Sequence, residues 1–222
     1  MNSSSVIFDA YGTLFDVASV SAACSGVVPQ PLELVHLWRA KQLEYSFLRS
    51  LMGPAAYVDF WTITGDALDY ATEALGLNVS ASERERMLSG WLEVKPYADV
   101  EPALDVLERQ ARRRVILSNG TLSMLQAALR SSGLSARFQD VLSVDSIRVY
   151  KPDPRVYRLA VDSLGVPIEE ILFVSSNGWD AAGAAAFGLR VAWINRRGAP
   201  TERLGLKPDT IVPDLTELPL AY

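Results

Sequence analysis

Four short stretches carry the side chains best suited to chemistry. Asp9 ends the apolar run Val6-Ile7-Phe8 and precedes Tyr11-Gly12-Thr13, and Ser118-Asn119 ends "RVILSN". Lys151-Pro152 comes after "VLSVD", and Ser175, Asn177 and Asp180 come at the end of "ILFVSSN" and just beyond it. Carboxylates at such positions serve as nucleophile or base. The sequence holds a single histidine, His36, in a helical pattern. Ser-His-Asp and Cys-His hydrolysis need histidine as base, and a histidine-rich metal site needs several. Any nucleophile here must be activated by carboxylates, cations and burial. Asp9 alone has two readings: a ligand-facing carboxylate beyond a strand, or a cap for the next segment's N–H groups.

The elements around these residues alternate. Val6-Ile7-Phe8, 114–119, 141–145, 171–177 and 190–195 are short runs rich in β-branched residues, as buried strands require. Between them, "VEPALDVLERQARR" repeats Leu104, Leu107 and Ala111. "TLSMLQAALRSSG" repeats Leu122, Leu125 and Leu129 and stops at Gly133. "DPRVYRLAVDSLG" repeats Val156, Leu159 and Ser163 and stops at Gly165. Strands alternating with helices imply an α/β fold with a mostly parallel sheet covered on both faces. Parallel strands share direction, so the four polar strand ends converge on one rim.

Residues 17 to 95 break this rhythm. They contain "PLELVHLWRAKQLEYSFLRSLM", "DFWTITGDALDYATEALG" and "SASERERMLSGWL", all helical in pattern, with a Ser82–Glu85 capping-box spacing and a stop at Gly76. The block reads as an all-helical cap inserted over the sheet, leaving 1–16 and 96–222 as the core. A helical excursion packed on a single core is the competing reading. Met52 and Met87 read as helix-core residues, and Trp38, Trp61, Trp91 and Trp193 as packing.

Composition narrows the class. The chain has 222 residues, 49% apolar content and net charge −5, with no basic tract for nucleic acid or an anionic membrane. No apolar run approaches the ~20 residues of a membrane span. Met-Asn-Ser-Ser-Ser lacks the pattern of a signal peptide, and Cys24 has no disulfide partner. A soluble cytoplasmic protein is expected.

Five stretches together, "FDAYGTLFD", "LWRAKQLEYSFLRSLM", "LSNG", "KPDPRVY" and "FVSSNGWDAAGA", resemble the haloacid dehalogenase superfamily, and within it the L-2-haloacid dehalogenases. The likeness runs nearly end to end. It implies a Rossmann-like core with a helical cap, no cofactor, a short haloacid as substrate, halide as product, and a homodimer. Superfamily phosphatases carry Asp-x-Asp and an acidic metal-binding loop; Tyr11 and Asn177 stand at those positions here. Halide is the anion of a strong acid and leaves without a proton, so losing metal and acid together suits dehalogenation.

The resemblance also assigns roles. Asp9 would displace halide at Cα and form an ester, with inversion. Lys151 would keep Asp9 ionised, and Asp180, with Ser175 and Asn177, would fix Lys151 and position the hydrolytic water. Thr13 and Ser118 would bind carboxylate oxygens. Arg39 and Asn119 would receive the halide beside Trp179, while Tyr11, Leu43 and Phe60 exclude water and Tyr157 joins the network. Each has a plainer reading: Arg39 as surface helix, Thr13 as turn hydroxyl, Tyr157 as core aromatic. Two rival functions are a phosphatase or phosphonatase on the same fold, and a nucleotide-binding module. The second lacks any Gly-x-Gly-x-x-Gly after the first strand. Halogen preference, fluoroacetate included, and acyl chain length are not fixed by these residues.

Overall fold

The computed structural model describes residues 4–219. Met1, Asn2 and Ser3, part of the N-terminus read above for a leader, lie outside them. The chain opens with β1 (Ser5–Phe8), four consecutive buried residues. Burial without alternation marks a central strand of a parallel sheet. Next come β2 (Phe15–Asp16), the helices α1 (Ser21–Cys24), α2 (Pro31–Leu51), α3 (Phe60–Ala74) and α4 (Ala81–Ser89), and β3 (Lys95–Pro96). Helix and strand then alternate through α5 (Val100–Arg109), β4 (Arg113–Ser118), α6 (Leu122–Ser131), β5 (Asp140–Ser143) and α7 (Pro154–Leu164). The chain continues with β6 (Ile171–Ser175), α8 (Gly178–Phe187), β7 (Arg190–Ile194) and β8 (Thr210–Val212).

Six strands form one parallel sheet in the order β5-β4-β1-β6-β7-β8. The chain leaves β1 toward β4 and β5, then crosses back to β6 on the other side. That reversal makes the carboxyl end of β1 the sheet's topological switch point, where open α/β sheets bind ligands. Phe8 sits level with Ile116 of β4 and Val174 of β6, so the residues after these three strands emerge side by side.

Two strand features differ from the sequence reading. β2 and β3 pair antiparallel, Phe15 opposite Pro96 and Asp16 opposite Lys95, joining both ends of the helical insertion. β8 adds a sixth strand on the edge, with Ile211 51% exposed. Segments of two or three residues are too short to show a period, so neither was legible.

Helix ends follow local chemistry. Asp153 caps α7 by accepting the Arg155 N–H, Pro154 occupies its first turn, and Gly165 ends it at φ 63°. The buried face of α7 is Val156, Tyr157, Ala160 and Leu164; Leu159 is half-buried and Ser163 exposed. The expected repeat therefore followed the wrong stripe. Met52 is also no core residue: it lies just past the end of α2, 65% exposed, whereas Met87 is buried. Of the tryptophans, Trp38, Trp91 and Trp193 are buried and Trp61 is half-buried.

The capping box of α4 lies two residues earlier than expected. Glu83 N–H donates to Ser80 Oγ at 3.4 Å and Ser80 N–H to Glu83 Oε2 at 2.9 Å. Both serines have a Glu three residues on, and the earlier one gains two further helical residues. Ser80→Ala should therefore lower stability by about 1 kcal/mol, a few degrees in Tm, while Ser82→Ala changes it by less than about 0.5 kcal/mol. Thermal unfolding of both variants checks this; a larger loss for Ser82→Ala would return the cap to Ser82.

Candidate active site

The turn after β1 accounts for its own backbone. The Ala10 carbonyl accepts the N–H groups of Thr13, Leu14 and Phe15 at 3.1, 2.8 and 3.1 Å. Gly12 takes φ +92°, a conformation that strains any residue with a Cβ. Asp9's side chain caps nothing in this turn. All of its partners are side chains, and most come from other strand ends.

Asp9 is 6% exposed. Its Oδ1 accepts the Lys151 ammonium at 3.1 Å. Its Oδ2 accepts Asn177 Nδ2 at 2.7 Å, Thr13 Oγ1 at 2.9 Å and, more loosely, Ser175 Oγ at 3.4 Å. Thr13 Oγ1 also accepts the Ser176 N–H at 2.8 Å, so the turn reading and the site reading of this hydroxyl both hold. Lys151 donates a second bond to Asp180 Oδ2 at 2.9 Å, and Tyr157 OH donates to Asp180 Oδ1 at 2.8 Å. Lys151, Asp180, Tyr157, Thr13 and Ser175 are all buried. Ser175 and Asn177 were expected to help Asp180 hold Lys151; instead both bond to Asp9, because β6 runs directly beside β1.

Charge and burial set the titrations. Burial alone would push the Lys151 ammonium down, but Asp180 and then Asp9 outweigh it and raise its pKa above the usual value. Burial pushes the Asp180 carboxyl up to about 6 against the pull of Lys151, with Asp9 adding to the rise. The Tyr157 phenol is raised far above its usual value by burial and then by Asp180, so it stays protonated and donates. Lys151 with Asp9 and Asp180 carries a net charge of −1, which would repel an anionic ligand without a further cation.

Arg39 supplies that cation from α2. Its Nη2 donates to the Tyr11 carbonyl at 3.4 Å and its Nη1 to Gln42 Oε1 at 2.5 Å. Gln42 in turn donates to Thr64 Oγ1 of α3 at 2.7 Å. The guanidinium lies 5.9 Å from the centre of the Trp91 ring. Burial lowers the Arg39 pKa to about 10, with Asp9, Tyr11 and Tyr97 resisting, so it is charged at neutral pH. The Tyr11 ring packs edge-on against Trp91 at 5.6 Å, and its phenol is pushed well above the usual value by burial. Asn119 gives its side-chain carbonyl to the Lys151 N–H at 3.0 Å. A backbone N–H needs an acceptor, so the Asn119 amide N–H₂ is turned away and free to donate.

The remaining expected residues are placed more loosely. Ser118 is buried and accepts the Gly120 N–H at 3.1 Å, with no hydrogen bond to Asp9 among the described residues. Phe60 is buried against Tyr150, ring centroids 5.9 Å apart. Trp179 is half-buried and meets Phe47 of α2 edge-on at 5.0 Å. Leu43 is half-buried on α2.

Two groupings escaped the sequence reading. Arg196 pairs with Asp99 at 2.7 Å and donates to the Thr13 carbonyl at 3.0 Å and Ser176 Oγ at 2.8 Å, pinning the turn after β1 to the loop after β6. Tyr150, next to Lys151, donates its OH to the Val58 carbonyl at 2.6 Å and stacks on Tyr57 at 5.1 Å, whose OH reaches Asp145 at 2.5 Å. The only hint in the sequence was an arginine or tyrosine beside a motif residue.

The site does not suit a divalent cation. Asp9 Oδ2 faces an amide N–H₂ and its Oδ1 an ammonium, both donors where a metal needs acceptors. Among the described residues no group of three His, Cys, Asp or Glu could hold a metal.

A model of haloacid dehalogenase-like hydrolases matches residues 4–188, and the chain belongs to that family. It is 45% identical over 211 residues to an (S)-2-haloacid dehalogenase of Pseudomonas sp. (strain YL), covering 95% of this chain and 90% of that one. A crystal structure of an L-2-haloacid dehalogenase superposes with TM-score 0.94 at 42% identity, covering 98% of this chain and 97% of that one. Another, the L-2-haloacid dehalogenase of Xanthobacter autotrophicus with chloropropionic acid covalently bound, gives TM-score 0.89 at 40% identity, covering 99% and 97%.

One property of this network is measurable without substrate. The folded Asp180 value of about 6 lies above the ordinary 3.8, so the native state holds this proton more tightly than the unfolded chain does. The stabilisation is complete below about pH 4 and is lost as pH rises through 6. Tyr157→Phe removes a donor that favours the ionised carboxyl, and should move the titration up by about one pH unit. Carbon-13 NMR of the Asp180 carboxyl reads it; an unmoved titration would detach Tyr157 from Asp180.

Proposed function

We propose that the protein is an (S)-2-haloacid dehalogenase, which hydrolyses short L-2-haloalkanoic acids to 2-hydroxy acids with inversion through an ester on Asp9. The observation that carries this is the asymmetry of the Asp9 carboxylate. Oδ2 accepts three donors and Oδ1 only Lys151, so Oδ1 keeps the more available lone pairs. The covalently bound chloropropionic acid of the Xanthobacter relative supports the same route.

In the first step Oδ1 attacks Cα, the carbon–halogen bond breaks, and its electron pair leaves with halide. Arg39 and the free Asn119 amide receive the halide, and Arg39 offsets the net negative charge that would repel the substrate. In the second step Asp180, ionised above about pH 6, takes a proton from water as the water attacks the Asp9 carbonyl carbon. Negative charge then gathers on Oδ2, where Thr13, Ser175 and Asn177 already donate, an oxyanion hole formed before the reaction needs it. The carbonyl carbon–Oδ1 bond breaks, and Lys151, 3.1 Å from Oδ1, gives its proton to the departing alkoxide. Asp180, 2.9 Å away, returns the proton taken from water to Lys151, and the Asp9 carboxyl loses its own to solvent.

Residues 17–95 act as the cap and 1–16 with 96–222 as the core, supported by the β2–β3 ribbon at both junctions. Tyr11, Leu43 and Phe60 keep the site dry, and Trp179 and Ser118 line it. The reaction uses no metal, supported by the donors facing both Asp9 oxygens. A homodimer is supported by the exposed Leu48, Leu51 and Met52 at one end of α2. A cytoplasmic location is supported by the lone buried thiol of Cys24, and no helix among the described residues is long and apolar enough to cross a membrane.

A single turnover of L-2-chloropropionate in oxygen-18 water and excess chelator, with enzyme in excess, tests the mechanism. The expected product is unlabelled D-lactate, with the label in the peptide carrying Asp9. Labelled lactate beside an unlabelled Asp9 peptide would reduce Asp9 to a base. Failure that only added magnesium reverses would overturn metal independence. Arg39→Ala should lower kcat by about 10² or more, on the scale of a lost oxyanion donor, while the circular dichroism spectrum is kept. Near-normal turnover would return Arg39 to a helix-surface role.

A further inference from the structure

Asp9 is buried, so an anionic substrate needs a path to it. A larger cavity of about 680 Å³ between Ser19, Gln30 and Lys95 includes no residue of the site. A smaller one, about 230 Å³, does: its walls include Gly12, Arg39 and Asn177 together with His36, Tyr97 and Arg197. Asn177 is itself 2.7 Å from Asp9, so the cavity floor lies one side chain from the nucleophile. The volume is several times the ~30 Å³ share of one water molecule, room for a small carboxylate.

The charge on its walls is one-sided. Two arginines and the sole histidine line it, and no Asp or Glu does, on a chain of net charge −5. The neighbouring Arg196 spends its charge on Asp99 at 2.7 Å. Arg197 is exposed and has no ion pair or hydrogen bond among the described residues. The nearby carboxylates lie outside the walls: Asp16 sits beside Tyr97, and Glu202 lies over Gly178. Arg196, anchored to the turn after β1, fixes where Arg197 begins.

Resting on the dehalogenase reading, we propose that this cavity is the port by which the haloacid anion reaches Asp9, with Arg197 as the steering cation at its mouth. An exposed cation at the rim of a low-dielectric cleft raises the local concentration of a monoanion and falls away with salt. Arg197 is too exposed to take part in bond breaking, so its effect falls on KM and not on kcat.

The experiment compares wild type, Arg197→Ala and Arg197→Glu on L-2-chloropropionate at low ionic strength and in about 1 M ionic strength set with potassium sulfate. At low salt, KM should rise about three- to tenfold for Arg197→Ala and further for Arg197→Glu, with kcat unchanged. At high salt, where the Debye length is about 3 Å, the three values should converge to within about twofold. An unchanged KM at low salt, a deficit that salt leaves intact, or a loss confined to kcat would each overturn the port. Wild type that releases no halide would overturn the dehalogenase reading instead. In that case calorimetric titration of propionate into wild type and Arg197→Glu still decides the port: weaker binding to the variant upholds it, and equal affinity overturns it.

Discussion

The ammonium of Lys151, held between Asp9 and Asp180 and almost wholly out of water, is the interaction on which the site depends. Burying three charges costs several kcal/mol for each, and their attraction offsets this only if the remaining lone pairs are also satisfied. The structure meets that condition closely. Asp9 Oδ2 has three donors, Asp180 Oδ1 has Tyr157, and the third direction of the ammonium lies toward the Phe173 ring, 5.1 Å from its centroid. The partners come from several segments: the turn after β1, strand β6 and the loop beyond it, and helix α7. The sheet order is what makes this possible, because only a strand flanked by two parallel neighbours can gather ligands from both sides of its carboxyl end.

The same trio explains the inserted helices. A cluster of net charge −1 repels an anion, and of the arginines on the loop after β7, Arg196 is paired with Asp99 and Arg197 is exposed. Arg39 comes from α2, held by Gln42, which is tied through Thr64 to α3. The seat of these helices on the sheet is fixed beside Lys151 itself: Tyr150 bonds to the Val58 carbonyl, and its N–H to Ser50 Oγ at 3.0 Å. The residue next to the central cation thus anchors the segment that delivers the peripheral one.

The sequence made part of this legible. Buried parallel strands announce themselves as uninterrupted β-branched runs, so the strand ends at Asp9, Ser118 and Ser175 were readable without coordinates. What failed has a common cause in partner choice and length. The bonds of Ser175 and Asn177 to Asp9 were not legible, because strand adjacency is not written in composition. The Ser82–Glu85 spacing and the Ser80–Glu83 spacing satisfy the same rule, so spacing alone does not place the cap of α4. β8 and the β2–β3 ribbon are shorter than any period, and the pairing of Arg196 with Asp99 spans too much chain for a local signal.

The geometry also bears on why one fold serves different leaving groups. A phosphoryl group needs a proton for its departing alkoxide and a cation for its own oxygens, so a second carboxylate near the nucleophile and a metal suit it. Here the second position is Tyr11, whose phenol is held protonated by burial and packs on Trp91. Asn177 puts two hydrogens where a metal would seek an oxygen, and one of them binds the nucleophile itself. On the proposed route that bond, by engaging Oδ2, would direct attack through Oδ1 and leave Oδ2 already cradled when the ester's carbonyl takes on charge. On the proposed route one amide would thus disfavour a metal, orient the nucleophile and serve the second step, none of which a carboxylate at position 177 would do.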